Sequence, residues 1–114
     1  MFEVHFYETL AGNKVLRDWL LSFAKEDRAV LGEDLKTVQI GFPIGLPLCR
    51  SLGAGLWEVR STLPVKRAEA RMIFFQDSSA HALVVVHGFI KKSQKTPRRD
   101  IDIALRRKAE VGSG

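Results

Sequence analysis

The stretch Gly41 to Pro47, GFPIGLP, divides the chain into two halves that obey different periods. Proline removes a backbone donor and glycine adds backbone freedom, so no helix or strand continues through two of each in so short a run. Before the break, Val15, Leu16, Trp19, Leu20 and Phe23 recur at helical spacing. Arg17, Asp18 and Ser22 fall on the other side, and Asn13 stands where an N-terminal cap belongs. A second helix is predicted from Glu26 to Ile40 on the stripe Leu31, Leu35 and Val38, with Gly41 as its C-terminal glycine cap. The two helices are expected to pack as an antiparallel pair. Ahead of them Phe2 to Tyr7 (FEVHFY) is aromatic and β-branched and reads as a strand.

After the break the period is two. Leu56 to Ser61 and Glu69 to Phe75 read as a hairpin closed by a loose loop containing Pro64, and Ala82 to Phe89 as a third strand after the turn Gln76-Asp77-Ser78-Ser79. Thr96-Pro97 supplies a capping hydroxyl and then a proline at the first helical position. Ile101, Ala104 and Leu105 continue that helix to Arg106-Arg107-Lys108, where cations suit the negative end of the dipole, and Val111 to Gly114 is expected to fray. The predicted order is β-α-α-β-β-β-α. It is an α+β fold in which two N-terminal helices and a C-terminal helix pack on a twisted, mostly antiparallel sheet. At 114 residues one domain, 1–114, is expected.

The excess positive charge sits entirely in the second half. From Trp57 to Lys108, 12 Lys and Arg face 5 Asp and Glu, whereas from Met1 to Leu56 the count is 6 against 7. Such asymmetry points to an anionic partner, nucleic acid before others, with solubility as the plainer explanation of a basic surface. The longest uncharged run, Thr37 to Cys49, is broken by glycine and proline and is shorter than the roughly 20 apolar residues that span a bilayer. No membrane partner is expected. The acid at Glu3 stands where a secretory leader is basic, and the single cysteine, Cys49, has no internal partner, so a cytoplasmic location is expected. Cys49 itself reads as a small apolar residue, with a catalytic thiol as the alternative. Histidines at 5, 81 and 87 give no zinc spacing, and Gly53-Ala54-Gly55 lacks the lysine of a phosphate loop, so no metal and no cofactor are expected.

Residues two apart on a strand share a face, which places Glu58 with Arg60 and Glu69 with Arg71. If Trp57, Val59, Met72 and Phe74 pack on the helices, Arg60 and Arg71 emerge on the opposite face. There they either grip phosphate through two parallel hydrogen bonds or form ion pairs on a wet face. His87, on the face expected to hold Val85 and Phe89, is either a hydrogen-bonded core residue or a proton carrier. Lys91, Lys92 and Lys95 occupy the connection that follows, HGFIKKSQKTP. Together with Arg60, Arg67 and Arg71 they are expected to form one basic basin at adjacent strand ends.

The runs LWEVRSTLPVKRAEARMIFF, ALVVVHGFIKKSQKTP and DIDIALRR closely resemble the phage-derived, HigB-like toxins of bacterial toxin–antitoxin modules, within the RelE/ParE superfamily. The resemblance is strongest from Leu56 to Arg107. It implies an inhibitor of translation that enters the ribosomal A site and cleaves mRNA without a metal, held inactive by a cognate helix-turn-helix antitoxin. Arg60, Arg71, Lys91, Lys92 and Lys95 match the family's basic positions, and His87 joins them as a candidate for proton transfer. Arg50, Lys66, Arg67, Arg98 and Arg99 are the further cations expected on RNA. A ParE-like gyrase poison on the same fold, or a non-catalytic phage nucleic-acid-binding protein, are the alternatives. Several members of the superfamily carry a tyrosine near the C-terminus, whereas the one tyrosine here is Tyr7.

Overall fold

Helical spacing before the GFPIGLP break and alternation after it become three helices and five strands in a computed structural model, which describes residues 1–113. The strands are β1 (Glu3–Phe6), β2 (Cys49–Gly53), β3 (Leu56–Leu63), β4 (Ala68–Asp77) and β5 (Ala82–Ile90). The helices are α1 (Val15–Leu21), α2 (Lys25–Gly41) and α3 (Arg98–Ser113). One sheet runs β1-β5-β4-β3-β2; every pairing is antiparallel except β1 with β5. The fold is α+β, as expected, with helices on both faces of the sheet.

The face carrying Trp57, Val59, Met72 and Phe74 receives α1 and α2. Leu31, Leu35 and Val38 of α2 are buried, and Phe42 packs edge-on against both Trp57 and Phe74. Opposite lie Glu58, Ile73, Phe75 and His87, covered along β4 and β5 by α3. The first two helices therefore spread along the sheet, α1 against β5 and α2 against β3. At the far end α3 is latched by its own cations. Arg107 donates to the Val86 carbonyl at 2.8 Å and stacks over the Tyr7 ring, Tyr7 donates to Glu110, and Lys108 donates to the Ala54 carbonyl at 2.9 Å.

Several expectations are corrected. β2 falls in a stretch to which the sequence assigns no element, because Cys49-Arg50-Ser51-Leu52 lacks β-branched residues; it is held by pairing to β3, and Gly53-Ala54-Gly55, all at positive φ, is the hairpin turn between them. Thr96 does not cap α3, since its hydroxyl donates to the buried Glu58 carboxylate at 2.6 Å, while Ile101 donates to the Pro97 carbonyl. Asn13 belongs to a turn closed on Thr9, and Lys14 precedes α1. Gly41 is the last residue of α2, not a cap beyond it. Basic Arg106-Arg107-Lys108 does not end α3, which continues to Ser113; Gly114 lies outside the described residues. The loop containing Pro64 is not loose: both oxygens of buried Asp27 accept backbone N–H groups from it, Val65 at 2.8 Å and Lys66 at 2.9 Å.

Gly88 marks the tightest approach of α1 to the sheet. A Cβ there would lie 2.5 Å from the Trp19 ring, closer than carbon atoms tolerate, and Trp19 is itself braced edge-on by Phe23. Gly88→Ala should therefore force α1 off β5. The expected loss is about 1–3 kcal/mol in urea unfolding, and an unchanged midpoint would show that Trp19 has room to turn.

Candidate functional site

Antiparallel register sets the site in rows across the sheet. Arg50 of β2 pairs with Glu58 of β3, which pairs with Ile73 and then His87; in the next row Arg60 pairs with Arg71, which pairs with Phe89. Glu58 is fully buried. Three guanidinium groups converge on its Oε1: Arg50 Nε at 3.3 Å, Arg71 Nη1 at 3.4 Å and Arg60 Nε at 3.6 Å. Its Oε2 accepts the Thr96 hydroxyl. A buried carboxylate with no partner costs several kcal/mol, so this convergence is a condition of folding with Glu58 inside.

The three arginines differ in what remains free. Arg71, 1% exposed, spends its whole head internally. Nε donates to Glu69 Oε2 at 3.0 Å, Nη2 lies 3.0 Å from the same oxygen outside hydrogen-bond geometry, and Nη1 donates to the Gln94 carbonyl at 3.3 Å. Arg50 donates to both Glu58 and the Thr96 hydroxyl. The Arg60 side chain makes no hydrogen bond among the described residues. Its Nε is buried without a hydrogen-bond acceptor, and its side chain, 24% exposed, borders an open groove of about 460 Å³ with Thr62, Glu69 and Asp34.

The segment between β5 and α3 is fastened over this cluster. Lys91 donates its backbone N–H to the Glu69 carbonyl at 2.8 Å and sets its ammonium 3.8 Å from Glu69 Oε2. Gln94 accepts from Arg71, and Thr96 closes the segment on Glu58. Among the described residues Arg50, Arg60, Arg71 and Lys91 share two ion-paired acids, Glu58 and Glu69, with Asp34 across the groove, so cations outnumber acids here. Lys92 and Lys95 are exposed on the same segment. Lys92 lines a second groove with Lys66 and Arg99, and Lys95 borders a third with Arg98. Arg98 is paired with Asp102 on the surface of α3, and Arg67, at positive φ in the β3–β4 turn, is exposed.

His87 sits apart from the arginines. A bulge places Val86 as an extra residue, so that Val85 faces Phe74 while His87 faces Ile73. The expectation that His87 shares a face with Val85 is therefore corrected. His87 Nε2 lies 2.7 Å from Asp100 Oδ1, each side chain 13% exposed, and its ring stacks on Phe89. Burial holds the imidazole below its ordinary value; Asp100 pulls the other way, and the charges of Arg107 and Arg99 add to the lowering. Cys49 is enclosed and its thiol is pushed up to about 11 by burial, so it carries no thiolate at neutral pH. Asp27, Thr96 and Asp100 were invisible as site residues in the sequence. All three act through contacts 13 to 39 residues away, which no local pattern encodes.

These features define an α+β protein with a buried arginine–carboxylate network beneath a stapled basic segment. The chain belongs to the family described as phage derived protein Gp49-like, which it matches over residues 18–109. No curated protein matches the sequence.

Two outcomes test the geometry. Glu58→Gln strands three guanidinium groups and should cost about 3–5 kcal/mol, as should Arg71→Met alone, whereas the double variant should recover a large part of the loss. Urea unfolding of the four-member cycle measures this, and simple additivity would show that the pair is not coupled. For His87 the folded value lies below the unfolded one, so its contribution is intact above about pH 6.5 and is lost as pH falls below it. Wild type should lose more urea resistance between pH 7.5 and 5.5 than His87→Gln; parallel losses would mean that another group carries the acid sensitivity.

Proposed function

We propose that the chain is the toxin of a type II toxin–antitoxin module, a HigB-like member of the RelE/ParE superfamily that enters the ribosomal A site and cuts mRNA without a metal. Membership of the phage-derived Gp49-like family supports this reading. The observation that carries it is the state of Arg60: a guanidinium held in place by Glu58 yet free of hydrogen bonds, facing a groove, with Lys91 fastened to the Glu69 that borders the same groove. The activity implies a cytoplasmic site of action and a cognate helix-turn-helix antitoxin that holds the toxin inactive.

RNA supplies its own nucleophile. The 2′-oxygen attacks the adjacent phosphorus, the P–O5′ bond breaks, one proton leaves the 2′-hydroxyl and another reaches O5′, giving a cyclic phosphate and a free 5′-hydroxyl. The protein's task is orientation and charge. Arg60 stabilises the non-bridging oxygens with its two terminal nitrogens. Lys91, tethered beside it, moves a proton, and Lys92 and Lys95 hold flanking phosphates. Arg50 and Arg71 are positioning residues, because their heads are committed to Glu58, Glu69, Thr96 and Gln94. His87 lies in the strand beyond Arg71's and takes no part in proton transfer.

Controlled expression should arrest growth and create new mRNA ends within codons, mapped by primer extension. Arg60→Ala should lower cleavage about 10²-fold while circular dichroism shows folded protein, and Arg60→Lys should restore part of it. Full cleavage by Arg60→Ala would remove that residue from the chemistry. Growth arrest accompanied by DNA breaks, with no new mRNA ends, would replace the nuclease by a gyrase poison.

A further inference from the structure

A groove larger than the one beside Arg60 is present among the described residues. It lies where the end of β5, the β3–β4 turn and the start of α3 meet, and its volume of about 530 Å³ is within the ~300–1,000 Å³ of small-ligand sites. Its lining combines three kinds of chemistry. Lys66, Lys92 and Arg99 bring positive charge from three separate segments, Phe89 and Pro97 supply flat apolar surface, and Asp100 contributes one carboxylate. Positive charge for phosphate with an aromatic face for a base is how single-stranded nucleic acid is held. A lone acid among cations would weaken a pure phosphate site, so its presence needs a separate reason.

The carboxylate is held in place and largely enclosed. Asp100 Oδ1 is held 2.7 Å from His87 Nε2, and Oδ2 has no partner among the described residues. The same His87 ring stacks on Phe89 at 5.7 Å between centroids, so the acceptor and the aromatic surface are fixed by one side chain. The turn bearing Lys66 is equally constrained, being tied to Asp27. Two walls of the groove, the Asp100–Phe89 side and the turn bearing Lys66, are anchored before any ligand arrives.

We propose that this groove is a nucleotide-selecting subsite for single-stranded RNA, in which one base lies against Phe89 and Pro97, Lys66, Lys92 and Arg99 hold the adjoining phosphates, and Asp100 reads the Watson–Crick edge. Guanine is the base that fits. Its N1–H and N2–H are two neighbouring donors, matched to the free Oδ2 and to the lone pair of Oδ1 that His87 does not use, whereas adenine and cytosine offer one amino group and uracil a single ring N–H. The subsite rests on the reading of the protein as an mRNA nuclease and adds the element that sets where along the message it acts.

The test is equilibrium binding of fluorescein-labelled RNA hexamers, all uridine or uridine with one guanosine, to the intact chain. Wild type should prefer the guanosine hexamer about tenfold. Asp100→Asn should bring the two to within about twofold, whereas Lys92→Ala should weaken both equally and leave their ratio unchanged. Equal binding of the two hexamers by wild type overturns the proposal without recourse to any variant, and so does an unchanged ratio in folded Asp100→Asn. Mapped mRNA ends separate the two readings. Cleavage with no enrichment of guanosine near the cut sinks the subsite and spares the nuclease, whereas guanosine preference in a protein that never cuts mRNA sustains the subsite and sinks the nuclease.

Discussion

One acidic side chain, Glu58, is fully buried, and most of the second half of the molecule is arranged around that fact. A carboxylate in a protein interior is tolerated when opposite charges and hydrogen bonds replace its lost hydration. Here the replacements come from β2, β3, β4 and the segment before α3: Arg50, Arg60, Arg71 and Thr96. The interaction therefore joins four pieces of chain that hydrophobic contact alone would hold with less directional precision. It also makes the position of α3 depend on a polar contact at its start, as its other end depends on Arg107, Tyr7 and Glu110.

The division of labour among the arginines follows from the same arrangement. A guanidinium presents five N–H donors in a rigid plane, so donors spent on protein acceptors are unavailable to a ligand. Arg71 donates to Glu69, Gln94 and Thr96 and has its remaining nitrogen buried, and Arg50 spends its own donors on Glu58 and Thr96. Arg60 is aligned by charge alone at 3.6 Å and keeps its donors. The two strands that looked equivalent in sequence, Glu58-x-Arg60 and Glu69-x-Arg71, thus do opposite things. The central strand β4 buries its arginine as scaffold, while β3, flanked on one side by only the short β2, exposes part of its own.

Periodicity made the helices, the three long strands and the shared faces legible, because each is dictated by neighbours two to four residues away. Glu58 with Arg60 opposite Trp57 and Val59 is such a case. What escaped is what depends on distant chain. β2 exists because β3 offers it a free edge, and the bulge at Val86 that moves His87 to the α3 face has no local composition to announce it. Thr96 has the sequence context of a helix cap, yet an unpaired buried carboxylate outbids helix N–H groups that Pro97 and solvent can satisfy. Asp27 looks like an ordinary acid in the first turn of a helix, and only the fold brings a backbone turn to it. The family resemblance was carried by three runs that hold most of the basic residues, and the pattern of charges was readable in them, unlike the contacts that divide those charges into scaffold and surface.

The stapling of the Lys91–Thr96 segment bears directly on how such a surface can work. A run of lysines in a free loop attracts polyanions, but each lysine ordered on binding costs rotamer and backbone entropy, and the contact is diffuse. Here Lys91 is fixed at one end by Glu69, Gln94 is held by Arg71, and Thr96 closes the other end on Glu58. Much of the ordering is done in folding, where Glu58 needs the contact in any case. A buried acid in the core of the sheet is thus the reason a basic segment on its surface is presented in one shape, and charge that would otherwise only attract a backbone phosphate is placed where it can also orient one.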